Sequence, residues 1–106
     1  MNLEITDSEI DNLLSKGGIT VLDFWAPWCG PCKSYGPIIE GFAKDNESRS
    51  DLHIRKINVD ENPVMAQKHG IRSIPTTIIF KDGQLITKVP GVIQKNKLDE
   101  FVGNLS

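Results

Sequence analysis

The spacing of apolar and polar residues changes several times along the chain, and each change marks an element. Thr6-Asp7-Ser8-Glu9 has the spacing of a capping box, with Ile10, Leu13 and Leu14 following at helical intervals until Gly17-Gly18 ends the run. A short strand around Leu3 to Ile5 is expected before that helix. Ile19 to Trp25 is apolar on both alternating faces except at Asp23, the pattern of a central strand covered on both sides. The next helix begins near Cys29 and carries Tyr35, Ile38, Ile39, Phe42 and Ala43. Gly36-Pro37 interrupts it, and a proline without an N–H is expected to bend it there.

Leu52 to Val59 reads as a third strand. Asn62-Pro63 then opens a short helix with Asn62 as N-cap, and Gly70 closes it. Thr76 to Lys81 and Gln84 to Val89 flank Asp82-Gly83, a strong hairpin signal. Leu98, Phe101, Val102 and Leu105 place a last helix from about Lys95 to Leu105. Gln94 is a poor cap for it. The order β-α-β-α-β-α-β-β-α implies an α/β fold in one domain, residues 1–106. Its mixed five-stranded sheet would be flanked by four helices, with parallel pairing early and an antiparallel hairpin at the edge.

Composition narrows the function without choosing it. The 106 residues are 39% apolar and 25% charged, ordinary proportions for a globular domain. Twelve basic and fourteen acidic residues leave a net charge of -2 with no Lys/Arg cluster, so nucleic acid is not an expected partner. The N-terminus lacks the basic and apolar regions of a signal peptide, and no apolar run approaches the roughly 18 residues of a membrane span. A soluble cytoplasmic chain with no membrane contact is the expectation.

Chemistry enters with the only two cysteines, Cys29 and Cys32. A bridge between them closes almost no loop and adds little stability, so the pair is placed for reaction rather than stapling. Both fall where a strand gives way to a helix. Cys29, in the first turn, gains from unpaired N–H groups and the positive end of the helix dipole, which favour its thiolate. It is therefore the expected nucleophile. Pro31 fits the first turn, where its missing N–H costs nothing. Two blander readings compete. Half of a zinc site would need further ligands, yet there is no third cysteine, and His53 and His69 lack ligand spacing. Inert buried cysteines fit poorly beside Trp28, Gly30 and Pro31. Asp23, inside a doubly covered strand, should be desolvated with a raised pKa and so act as a general base; the alternative is a structural carboxyl satisfied by hydrogen bonds. Both histidines are expected at the surface.

Four separated stretches carry a resemblance spanning nearly the whole chain. Val21-Leu22-Asp23-Phe24-Trp25-Ala26-Pro27-Trp28-Cys29-Gly30-Pro31-Cys32-Lys33 resembles the active-site signature of the thioredoxin family. Lys56 to Pro63, Gly70 to Thr77 and Gly91 extend the match. The resemblance implies the thioredoxin fold and a thiol-disulfide oxidoreductase that reduces protein disulfides. Cys29 would attack and Cys32 resolve, forming the redox disulfide between them. Asp23 would lie beneath Cys32 with Lys56 nearby, and Pro75 would be a cis proline facing the dithiol. Trp28, Gly30, Pro31, Ile74, Pro75, Gly91 and Val92 would receive the substrate peptide. The resemblance further implies a monomer with no cofactor or metal of its own, recharged by a thioredoxin reductase and serving cell redox homeostasis. Two alternatives use the same fold: a thiol oxidase or isomerase, and an interaction subunit with an idle dithiol. Pro27, Tyr35-Gly36, Pro90 and Gln94 depart from the family's usual residues.

Overall fold

Ile19–Trp25 forms β1, the strand around which the other elements assemble. In the computed structural model, which describes residues 2–106, β1 pairs in parallel with β2 (Leu52–Asn58) and antiparallel with β3 (Thr76–Lys81). β4 (Gln84–Pro90) pairs antiparallel with β3, giving the order β2-β1-β3-β4. Six of the seven β1 residues are buried, as expected for a strand covered on both sides.

One face of the sheet carries α2 (Gly30–Asp45) and α4 (Lys95–Leu105), which bury Tyr35, Ile39, Phe42, Leu98 and Val102 against Ile19, Val21, Ile54 and Ile79. The other face carries α1 (Ile10–Ser15) and α3 (Pro63–Lys68), with Ile10, Leu13 and Met65 against Leu22, Phe24, Ile57, Ile78 and Phe80. Each fully buried large side chain contributes roughly 1.5–3 kcal/mol. α2 runs through Pro37 as one helix of 16 residues.

Among the described residues the sheet has four strands rather than the expected five. Leu3 to Ile5 makes a single parallel bridge at Glu4↔Lys56, closed by Ile5 N–H to Lys56 O (2.9 Å) and Lys56 N–H to Leu3 O (2.8 Å). The stretch is too short to extend the ladder. Asn2 accepts from Glu4 N–H before it, and Glu9 accepts from Thr6 N–H (2.9 Å) just after it to start the helical turn at Asp7–Glu9. Leu3 and Ile5 still enter the two opposite cores, as alternating strand residues would.

A second expectation is corrected at α3. The side chain of Asn62 does not cap it. Asp7 does so from 57 and 58 residues away, its carboxylate accepting from Val64 N–H and Met65 N–H at 2.9 Å each. Asn62 is drawn off to accept from Asp7 N–H (3.0 Å) and to donate to Asn58 O (3.2 Å). A carboxylate is the stronger cap because it also meets the positive helix end. Asp7→Ala is expected to lower stability by about 1 kcal/mol in urea unfolding, with little change for an exposed control such as Asp11→Ala.

The hairpin follows its sequence signal, with positive φ at both Asp82 (50°) and Gly83 (83°). Its tip is tied back to the start of β1 by Gly18 N–H to Asp82 Oδ1 and Asp82 N–H to Gly18 O, both 2.8 Å. Gly18 has φ 73°, and a Cβ there would run into the Asp51 carbonyl, so no other residue fits.

Candidate active site

The end of β1 delivers the chain into the loop Ala26-Pro27-Trp28 and then directly into α2, with Cys29 as N-cap. Cys29 N–H donates to Ala26 O (3.2 Å), which holds the turn. Its sulfur accepts from Cys32 N–H at 3.1 Å, one of the donors a helix start leaves without a partner. Pro31 occupies the first turn without wasting a donor. Cys29 and Cys32 are joined as a disulfide with Cα atoms 5.2 Å apart. The bridge packs among Ala26, Trp25, Val59 and Ile74, and the two residues are only 4% and 5% exposed.

The N-cap position distinguishes the two sulfurs. A negative charge on Cys29 would receive an N–H and the positive helix end together. Across from it, the Ile74 carbonyl oxygen lies 3.5 Å from Cys29 Sγ, and the Ile74-Pro75 peptide is cis. Gly91, at φ 90°, donates its N–H to Pro75 O at 2.7 Å and fixes that loop against the end of β4.

Around the dithiol the surface is apolar and open. Trp28 is 69% exposed and Val92 39%, while Gly30, Pro31 and Gly91 are also exposed. A depression of about 190 Å³ runs between Trp28, Val59, Ile71 and Ile74. The Trp28 indole is held upright by Nε1–H donating to Asp60 Oδ2 (2.9 Å). Nothing in the spacing of Trp28 and Asp60 announces this pairing; the one available signal is that an indole N–H needs an acceptor.

Asp23 lies on the α2 face of β1 and is 1% exposed. Neither carboxyl oxygen has a hydrogen-bond partner among the described residues. No described protein group supplies the hydrogen bonds that a purely structural carboxyl would be expected to have. Burial pushes its pKa up to about 7, against a smaller lowering by the Lys56 charge; Glu4 raises it slightly further. Lys56 is its neighbour in the β1–β2 register, but its ammonium sits 4.8 Å from the centre of the Trp25 ring, not in an ion pair with the carboxylate. Trp25 in turn donates Nε1–H to Glu4 Oε1 (3.2 Å). A recess of about 310 Å³ between Trp25, Pro27, Cys32, Pro37 and Lys56 opens this side to solvent.

His69 departs from the expected surface position. It is half-buried with its ring edge-on to Phe80 at 5.8 Å, and burial lowers its pKa. His53 is also half-buried. Among the described residues no three His, Cys, Asp or Glu side chains form a metal-ligating group.

The thioredoxin family model matches residues 2–104. The chain belongs to the thioredoxin family. Thioredoxins from Staphylococcus aureus strains are 46% identical over 100 residues, covering 94% of this chain and 93% of theirs. A solved mutant thioredoxin from Halobacterium salinarum NRC-1 superposes with a TM-score of 0.86 at 31% identity, covering 98% of this chain and 89% of that one. The thioredoxin fold of this chain carries a redox-active cysteine pair, and its activity is that of a thiol-disulfide oxidoreductase acting on protein disulfides. No described helix is long and apolar enough to cross a membrane.

Proposed function

We propose that this domain works as a monomer in the cytoplasm and reduces protein disulfides by two successive exchanges with fixed roles for its two cysteines. Cys29 thiolate attacks one sulfur of the substrate disulfide; a Cys29–substrate disulfide forms and the other substrate sulfur leaves as thiolate. Cys32 then gives its proton to Asp23 and attacks Cys29 Sγ. The Cys29–Cys32 disulfide forms, the second substrate sulfur leaves, and two electrons have passed to the substrate. A thioredoxin reductase restores the dithiol.

The observation that carries this assignment is the 3.1 Å hydrogen bond from Cys32 N–H to Cys29 Sγ at the helix N-cap. It favours charge on Cys29 and gives Cys32 no equivalent support. Trp28, Gly30, Pro31, Ile74, Pro75, Gly91 and Val92 form the surface on which an extended substrate segment would lie. Lys56 tunes Asp23 through its charge rather than by contact.

Insulin disulfide reduction tests the reading, driven first by dithiothreitol and then by NADPH with a flavin reductase. Turnover with both is expected. Turnover with dithiothreitol but with no reductase would leave the chemistry standing and overturn the proposed electron donor.

A further inference from the structure

One transverse row of the sheet is polar in an otherwise apolar face. Asp23 on β1 is flanked by Lys56 on β2 and Thr77 on β3. Lys56 leans away over Trp25. Thr77 stays, fully buried, and its hydroxyl shares a 2.8 Å hydrogen bond with the hydroxyl of Tyr35, which comes down from α2 and is also fully buried. Tyr35 is one of the positions where this chain departs from the family's usual residues.

A proton count turns this contact into an inference. Two hydroxyls bring two protons, and the bond between them uses one. Neither makes another hydrogen bond among the described residues, so one proton is unspent in a place without solvent. Buried donors find acceptors. The only buried side-chain oxygens without a partner among the described residues are the two of Asp23. Asp23 and Thr77 stand directly opposite each other on one face, where Cβ atoms are about 4.5–5.5 Å apart.

We propose that Tyr35 and Thr77 are positioning residues for Asp23. Their shared hydrogen bond leaves one hydroxyl proton to turn toward the carboxylate when it is ionised and away when it is protonated. Neither hydroxyl makes a hydrogen bond to an Asp23 oxygen in this structure, so a small side-chain shift completes the contact as the carboxyl ionises; either hydroxyl can be the donor in the shared bond, whose polarity reverses by rotating two O–H bonds. Burial pushes the phenol's own pKa up, so Tyr35 stays neutral throughout and acts only as a dipole. The other groups acting on Asp23 are the charges of Lys56 from β2 and Glu4 from the N-terminal segment. This inference rests on reading Asp23 as the base for Cys32.

The test is the titration of the Asp23 carboxyl carbon, followed by NMR in the reduced protein. The double variant Tyr35→Phe/Thr77→Val removes both hydroxyls and should move the midpoint up by about one pH unit, the difference between a hydrogen bond to a charged and to a neutral group; either single variant leaves one hydroxyl and should move it less. Thr77→Ser keeps the hydroxyl and should leave the midpoint in place. It also keeps the test open if the valine variant folds poorly. Release of a labelled cysteine peptide from its Cys29 mixed disulfide should slow about fivefold at pH 7 in the double variant and recover as the pH passes the new midpoint. A purely structural defect would slow release at every pH. An unmoved midpoint in the double variant, or an equal shift in Thr77→Ser, would overturn the inference. If Asp23→Asn left release unchanged, the base reading itself would fail, whatever the midpoints did.

Discussion

Replacing Cys32 by alanine is expected to convert the protein from a catalyst into a trap. Cys29 keeps its place at the N-cap of α2 and, on reduction, its thiolate can still attack a disulfide. What disappears is the thiol three residues on, held with its Cα 5.2 Å away and able to attack Cys29 without diffusing. A group held that close acts at an effective concentration far above that of any dissolved thiol. Turnover supported by millimolar external thiol should therefore fall by on the order of 10³-fold or more. Covalent complexes with protein substrates should accumulate, visible on non-reducing gels and released by dithiothreitol. Cys29→Ala should form none. If Cys29→Ala trapped substrate and Cys32→Ala turned over normally, the roles of the two sulfurs would have to be exchanged.

The second large effect is on stability. The Asp23 carboxyl has a folded pKa near 7 against an ordinary value of 3.8, and the leading cause is burial. Between those two values the folded chain holds a proton that the unfolded chain has released, so raising the pH through this window favours unfolding. Stability is expected to fall from about pH 4 to about pH 7 and then level off. The total loss is at most roughly 4 kcal/mol, since each pH unit of separation corresponds to about 1.4 kcal/mol. Asp23→Asn replaces the carboxyl with a neutral group of the same shape and should abolish the slope. In urea unfolding of the oxidised protein, the variant should match the parent near pH 4 and exceed it by a few kcal/mol at pH 8. The same substitution should slow release of the substrate more than attack upon it. A gain independent of pH would show that the ionised carboxylate is not what destabilises the fold. The residue would thus cost stability in exchange for a base that titrates where the reaction needs it.

The elements with a strong local signal lie where their residues place them. β1 is bounded at Ile19 and Trp25, α4 at Lys95 and Leu105, and the Asp82-Gly83 turn has the left-handed backbone its two residues favour. Each of these signals lies within a few neighbouring residues. The strand expected at Leu3 to Ile5 failed because its length depends on what β2 offers it and on how soon Thr6 turns the chain. The cap of α3 came from Asp7 rather than Asn62, a choice visible only once two distant segments touch. In the site, Cys29, Cys32 and the burial of Asp23 were legible because strand and helix patterns dictate them. The Trp28–Asp60 and Tyr35–Thr77 pairs were not, since they join residues more than 30 positions apart with no characteristic spacing.

The long reach of Asp7 has a mechanical consequence. The helix it caps leads through Gly70 and Ser73 straight into Ile74-Pro75, while the cysteines hang from the other side of the sheet on α2. The N-terminal segment is therefore a guy-line for the surface proposed to receive the substrate, and it bears little on the bond that reacts. A graft or deletion that disturbed residue 7 would blur recognition first and leave the sulfur chemistry nearly as it was.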